Sequence, residues 1–362
     1  DAWPRRVGSI DGLPATTRDA ANRLWLRRRL NDLAATRPAA PGHPPGFSGP
    51  VLAPAGTAEQ RAAQSLLDRL EAQDADPTRT VQPLFLLAVD TRGDGRAVVS
   101  IGDPDRAKHV AVSIPGTTTD LAAVPGQVNR WNNMQQEAMD NPGLTPSDVA
   151  VVVWFDYDAP DDYAQATADG MAEHAAADLA RFVDGVRASH VGDPPHVTVL
   201  GHSYGSVVVG EAARLSDDTG APRRFADVLK ADDIVVTGSP GMHVPNADHL
   251  NITDGHLWVG LADADWMRYG GDPFEGDGPD IHGTDPHTPR FAGDRVHPIM
   301  FEVAPGWDAF WSDPTAPHSS YWDGAGDEPS PGAANQANII IGRHENVTAA
   351  PPSALTPPGV VE

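Results

Sequence analysis

The chain has 362 residues, of which 40% are apolar, 6% aromatic and 21% charged, the make-up of an ordinary globule with a sizeable core rather than a disordered chain. Lys plus Arg number 26 against 50 Asp plus Glu, a formal net charge of -24, so the surface repels phosphate backbones and argues against a nucleic-acid partner. The absence of cysteine excludes disulfides, thiolate metal sites and a cysteine nucleophile, and no apolar run approaches the roughly 20 residues of a membrane helix, so no integral membrane segment is expected.

In chain order, residues 15 to 36 read as a helix, with Leu26, Leu30 and Leu33 recurring on one face. Pro38 to Gly56 is rich in Pro and Gly and reads as a loop. Helical spacing returns over Ala58 to Ala72, where Leu66, Leu67 and Leu70 share a face. Residues 1–80 therefore form a helical appendage, too small to be stable alone and expected to dock on the remainder of the chain.

From Val81 strands and helices alternate. Pro83 to Val89 and Arg96 to Ile101 are strand-like, joined through Arg92-Gly93-Asp94-Gly95, a hairpin signal. Further strands are expected at His109 to Ile114, Ala150 to Phe155, His196 to Leu200, Asp233 to Thr237, Leu257 to Leu261 and Met300 to Val303. Helices are expected at Leu121 to Met139, Tyr163 to Ser189 and Ser203 to Leu215. This alternation implies an α/β fold: an eight-stranded, mostly parallel sheet with helices on both faces over residues 81–348, one antiparallel edge, and a loose tail at 349–362.

The chemistry concentrates at Gly201-His202-Ser203-Tyr204-Gly205. A Gly-x-Ser-x-Gly run carries meaning only between a strand and a helix, and here His196 to Leu200 precedes it and Ser206 to Ala212 comes after it. The tight turn presents the Ser203 hydroxyl at the carboxyl edge of the sheet, and side chains at Gly201 and Gly205 would collide with the neighbouring strand and helix. A serine needs a base to take its proton and an acid to hold that base, in the chain order Ser, acid, His. Asp263 and Asp265 both lie just past the strand ending at Leu261, and position alone does not separate them. Of the later histidines, His282 and His287 sit in an Asp- and Pro-rich loop, His297 precedes the last strand and His344 lies near the end of the last helix. His318 alone follows that strand by a suitable loop. Two N–H donors must hold the oxyanion. Tyr204, next to the nucleophile, supplies one, and Thr117, beyond Gly116 in the loop after the third strand, the other.

The Asp and His residues from Asp272 to His287 match no zinc or EF-hand spacing and read as a solvated loop, part of a lid over the site. No cofactor and no metal is expected. Trp307, Phe310, Trp311, Tyr321 and Trp322 surround His318 in sequence as candidates for an apolar acyl pocket.

With these residues placed, the chain resembles an actinobacterial α/β-hydrolase family long known only as a domain of unknown function. The likeness rests on Gly12-Leu13-Pro14, Arg18-Asp19-Ala20-Ala21-Asn22-Arg23, Ile114-Pro115-Gly116-Thr117-Thr118-Thr119-Asp120-Leu121, the Ser203 motif, His282-Gly283-Thr284-Asp285-Pro286 and His318-Ser319-Ser320-Tyr321. It implies a Ser-Asp-His hydrolase with Ser203 and His318, and tips the acid toward Asp265, since members carry Asp-Pro there. Trp266 stands in place of that proline and keeps Asp263 open; the stretch 38–56 is longer than usual for the family. The expected activity is hydrolysis of a small-molecule or lipid-like ester. The alternatives are an amidase or peptidase with the same triad, or a non-catalytic interaction module docking through the N-terminal helices. Any targeting segment is expected to have been removed or never present, and the acidic, cysteine-free chain favours a secreted or cell-envelope location.

Overall fold

The computed structural model describes residues 2–35, 56–75, 82–167, 170–217, 219–269, 281–304, 306–311, 313, 315–322 and 330–350. Its strands are β1 (Leu84–Asp90), β2 (Arg96–Ile101), β3 (His109–Ile114), β4 (Val149–Phe155), β5 (His196–His202), β6 (Asp233–Thr237), β7 (Leu257–Gly260) and β8 (Ile299–Met300). They form one eight-stranded sheet in the order β1-β2-β4-β3-β5-β6-β7-β8. Only β2 runs against its neighbours, pairing antiparallel with β1 through the hairpin at Arg92 to Gly95 and with β4 on its other side. From β4 to β8 every pairing is parallel.

The helices are α1 (Ala2–Gly8), α2 (Ala15–Ala35), α3 (Ala58–Asp74), α4 (Val124–Met139), α5 (Gly170–Ser189), α6 (Tyr204–Ala213), α7 (Trp307–Phe310) and α8 (Pro331–Ile340). Val98, Val110, Val112, Val152, Val197, Val199 and Ile234 pack on one face of the sheet with Leu179, Phe182 and Val183 of α5 and Val207 to Val209 of α6. The alternate residues Val99, Ala111, Val151, Val153 and Val235 pack on the other face with α2, α3, α4 and α8. This period-two division explains why strands buried on both sides read as unbroken Val-rich runs.

The N-terminal helices share that second core: Leu26 and Leu30 of α2 and Leu66, Leu67 and Leu70 of α3 are buried in it. They also close an open sheet edge. The amide and carbonyl groups on the outer side of β1 are bonded by the polar face of α2. Asp19 accepts from the Leu86 N–H at 2.7 Å, Asn22 donates to the Leu86 carbonyl at 2.9 Å, Arg23 to Leu84 at 2.8 Å and Arg18 to Leu87 at 3.0 Å. An uncovered edge of this kind is a template for unwanted pairing. The Arg18 to Arg23 run seen in the sequence is this edge cover.

Most boundaries fall within one or two residues of expectation; the larger differences are these. α1 carries no clear periodicity. The helix expected from Tyr163 starts at Gly170, because Asp162 accepts from the Gln165 N–H at 2.8 Å and closes a separate turn first. The helix expected from Leu121 begins at Val124, with Pro125 in its first turn. The last strand shrinks to two residues. The stretch 38–55 and the tail beyond Ala350 lie outside the described residues.

Candidate active site

Ser203 stands between β5 and α6 with φ 54° and ψ -131°, a positive-φ conformation that L residues rarely adopt. Neighbouring backbone holds it there. The Ser203 N–H donates to the Thr237 carbonyl at 3.0 Å. A Cβ on Gly205 would fall 2.2 Å from the Ile114 carbonyl oxygen of β3, and one on Gly201 would fall 2.7 Å from Ser206 Cα of α6. Both positions need glycine because strand and helix leave no space for a methyl group.

The chain beyond β7 and the loop before α8 bring two more side chains to this serine. His318 Nε2 lies 2.8 Å from Ser203 Oγ. His318 Nδ1 lies 2.9 and 3.0 Å from the two carboxylate oxygens of Asp265. All three residues are buried. A proton on Nδ1 directed at Asp265 leaves Nε2 free to accept the serine proton, the tautomer that general-base chemistry requires. Asp263, the other candidate, is half-buried, and the carboxylate that meets His318 Nδ1 is that of Asp265.

Asp265 has no exposed surface, and burial alone would raise its pKa. Hydrogen bonds from His318, from the Tyr321 hydroxyl and from the Met267 N–H outweigh that effect and hold the carboxyl below its ordinary range. Ionised, it accepts the hydrogen bond from His318 Nδ1.

Other residues shape the site, of which the sequence assigns His202 and Gly238 no role. His202 Nε2 lies 2.6 Å from the His318 carbonyl oxygen, so its N–H donates there and fixes the loop carrying the imidazole. Burial, with the nearby His318, lowers the His202 pKa to about 3, so this ring is neutral. Gly238, at φ 53°, leaves space that a Cβ would take up at 3.0 Å from Asp265 Oδ2 and from His318 Nδ1. Gly116 faces the nucleophile, where a Cβ would lie 2.6 Å from Ser203 Cβ. Thr117 follows it and lines the cavity above the serine, and Tyr204 opens α6 with its ring buried.

That cavity has a volume of about 310 Å³, and Thr117, Gln127, Arg130, Trp131, Tyr163 and Trp322 line it beside Ser203 and His318. Of the five aromatics near His318 in sequence, Trp322 alone lines it; Tyr321 lies against Asp265, while Trp307 and Trp311 are exposed. Aromatic walls come instead from Trp131 of α4 and from Tyr163.

The solvated loop expected from Asp272 to His287 falls in part outside the described residues, and where it is described it is packed. His282 is buried, its Nε2 2.6 Å from the Ala166 carbonyl oxygen and its ring edge-on to Tyr204 at 5.6 Å. Both ring nitrogens of His287 are engaged within the protein: Nδ1 meets Asp285 at 2.6 Å and Nε2 lies 3.3 Å from the Gly260 carbonyl oxygen. Local composition is polar, but partners from other elements bury the two rings. His297, exposed beside Asp254, and His344, beside Asp233, both lie at the amino edge of the sheet, away from Ser203.

A mostly parallel eight-stranded sheet with a strained serine between a central strand and a helix, at the sheet's carboxyl edge, defines the α/β-hydrolase class. A family model described as alpha/beta hydrolase matches residues 90–275, just over half of the chain, and the chain belongs to that family. An uncharacterized protein of Mycobacterium tuberculosis is 30% identical over 281 residues, which cover 72% of this chain and 40% of that relative. An uncharacterized protein of Mycobacterium bovis is 33% identical over 188 residues, 49% of this chain and 66% of the relative. The chain thus spans about 40% of the length of the first of these. Among solved structures, an esterase of Mycobacterium marinum is similar with a TM-score of 0.37 and 13% identity, over 88% of this chain and 94% of the other. Esterase 2 of Thermogutta terrifontis is similar with a TM-score of 0.32 and 13% identity, over 70% and 92%. No helix among the described residues is long and apolar enough to cross a membrane.

Proposed function

We propose that the chain is a serine hydrolase that cleaves carboxylic esters of small or lipid-like molecules through an acyl-enzyme on Ser203. The observation that carries this reading is the buried line from Ser203 Oγ to His318 Nε2, at 2.8 Å, and from His318 Nδ1 to Asp265, at 2.9 Å. In the first half-reaction His318 takes the Ser203 proton as Oγ attacks the acyl carbonyl, then returns that proton to the departing alkoxide. In the second half it draws a proton from water as the water oxygen attacks the acyl carbon; the bond from that carbon to Oγ then breaks, the carboxylic acid leaves, and His318 returns the proton to Ser203 Oγ. Asp265 stabilises the imidazolium formed in each half.

The N–H groups of Tyr204 and Thr117 are the proposed oxyanion donors. Tyr204 opens α6, where the helix end adds a partial positive charge, and Thr117 shares the cavity with the nucleophile. Esters ask least of such a site, because an alkoxide departs far more readily than an amide anion, and an amide nitrogen must be protonated before it leaves. The test is turnover of short p-nitrophenyl esters and matched anilides by the wild-type chain and by Ser203→Ala, with fluorophosphonate labelling beside it. Ser203→Ala is expected to lose at least about 10³-fold in kcat/KM for the esters and all labelling. Undiminished ester turnover by that variant would overturn the proposal, and anilide cleavage exceeding ester cleavage would move the activity to amides.

A further inference from the structure

Seven residues before Ser203, β5 begins with His196, roughly 20 Å away along the strand at the amino edge of the sheet. β6 begins beside it with Asp233, which has no exposed surface. The chain after α8 returns to the same edge and delivers His344. His196 Nε2 lies 2.8 Å and His344 Nε2 2.9 Å from the same oxygen, Oδ2 of Asp233. One ligand atom from each of the three residues lies within 4.8 Å of the other two.

We propose that His196 Nε2, His344 Nε2 and Asp233 Oδ2 form a binding site for a divalent cation of the zinc class, one that ties the chain after α8 to β5 and β6. Two imidazoles and one carboxylate are a ligand set that zinc accepts, with water in the remaining position. The other carboxylate oxygen is held by separate groups: Trp258 Nε1 donates to Oδ1 at 2.8 Å, and His256 Nδ1 lies 3.0 Å from it. Such outer partners orient a ligating carboxylate and leave Oδ2 for the ion.

The geometry of His196 separates this site from a plain hydrogen-bonded cluster. Its Nε2 is inaccessible to solvent and close to Oδ2, yet it makes no hydrogen bond of acceptable angle. The nitrogen is thus in contact with Oδ2 without the alignment of a hydrogen bond. Tetrahedral bonds of about 2.0–2.2 Å place ligand atoms about 3.4 Å apart, so the two N–O contacts of 2.8 and 2.9 Å must lengthen by about half an ångström. The side chains of His196 and His344 are about a quarter exposed, so the cluster lies close to the surface. The net charge of -24 draws cations to the surface.

The site is independent of the ester chemistry, and its test needs no substrate. The full chain, stripped with a chelator, is titrated with ZnCl₂ by calorimetry and with CoCl₂ by visible absorption, and its Tm is read at each step. The expected result is one equivalent bound, intense four-coordinate Co²⁺ bands and a raised Tm. His344→Gln and His196→Gln should each weaken zinc at least about tenfold, with His297→Gln, an exposed histidine at the same edge, unchanged. Absence of saturable uptake by the wild-type chain overturns the proposal. So does wild-type affinity in His344→Gln or His196→Gln, or loss of binding in His297→Gln. Should the first two variants fail to fold, the wild-type Co²⁺ spectrum decides: weak six-coordinate bands reject the site.

Discussion

Asp265 and Asp263 are two residues apart, similar in sequence context, and different in what surrounds them. Asp265 is enclosed by His318, Tyr321 and the Met267 amide, each a donor, while Asp263 is half-buried. In the proposed mechanism only Asp265 fixes the His318 tautomer. Asp265→Asn is therefore expected to lower kcat by about 10⁴-fold while leaving KM close to wild type, and Asp263→Asn to retain near wild-type kcat. Steady-state ester kinetics on the two variants check this, and equal losses in both would count against the assignment.

The elements that position the site are held by contacts far from it. α2 covers the outer edge of β1, and Arg18 is central to that cover: its Nε donates to the carbonyls of Gly8 and Leu87, and its guanidinium pairs with Asp11 at 3.1 Å. Arg18 is 4% exposed, so its removal leaves carbonyl groups unbonded where water has little access. Arg18→Ala is expected to destabilise the fold by about 2–3 kcal/mol in urea unfolding, with ester turnover per folded molecule unchanged. A loss under about 0.5 kcal/mol would mean that water replaces the side chain at the edge.

For the molecule as a whole, the buried His202 and the half-buried His109 lower stability in acid, partly offset by Asp156, whose carboxyl pKa burial raises to about 6. His202 is held neutral, its pKa lowered to about 3 by burial and by nearby His318; burial and His196 lower His109 to about 4. In the unfolded chain both titrate near 6.5. Below that pH the unfolded state takes up protons that the folded state refuses, so stability is full above 6.5 and falls as the pH drops toward 4. The slope for one such proton is about 1.4 kcal/mol per pH unit. The carboxyl of Asp265 acts lower: its folded pKa is depressed, so its contribution is present above its ordinary value of 3.8 and lost as the pH falls further. Urea midpoints between about pH 7.5 and 4.5 should fall steadily, and His109→Gln should flatten the fall. A midpoint independent of pH over this range would contradict the assignment of neutral buried rings.

Fold class and strand positions were legible in the sequence because they depend on local pattern. Val-rich runs of strand length, separated by helical stretches, specify a covered parallel sheet almost without reference to the rest of the chain. The serine turn was legible for the same reason, since its two glycines answer to atoms a few residues away and to one adjacent strand. What the sequence left open depends on distance along the chain. Asp265 meets His318 across 53 residues, and Tyr321 meets Asp265 across 56, so no spacing rule connects them. Of the aromatics near His318 only Trp322 reaches the cavity, and its other aromatic walls come from α4 and the loop before α5, because side chains converge by topology rather than by proximity in sequence. His282 and His287 sit in a stretch of polar composition and are nonetheless buried by partners elsewhere. The group of His196, Asp233 and His344 spans three separate segments and has no motif at all. By itself the sequence determined the sheet, the turn and the serine that the turn exposes. Only the tertiary structure decided which carboxylate reaches His318, which rings wall the cavity and which histidines are buried, because those choices are made by contacts between elements that local pattern does not encode.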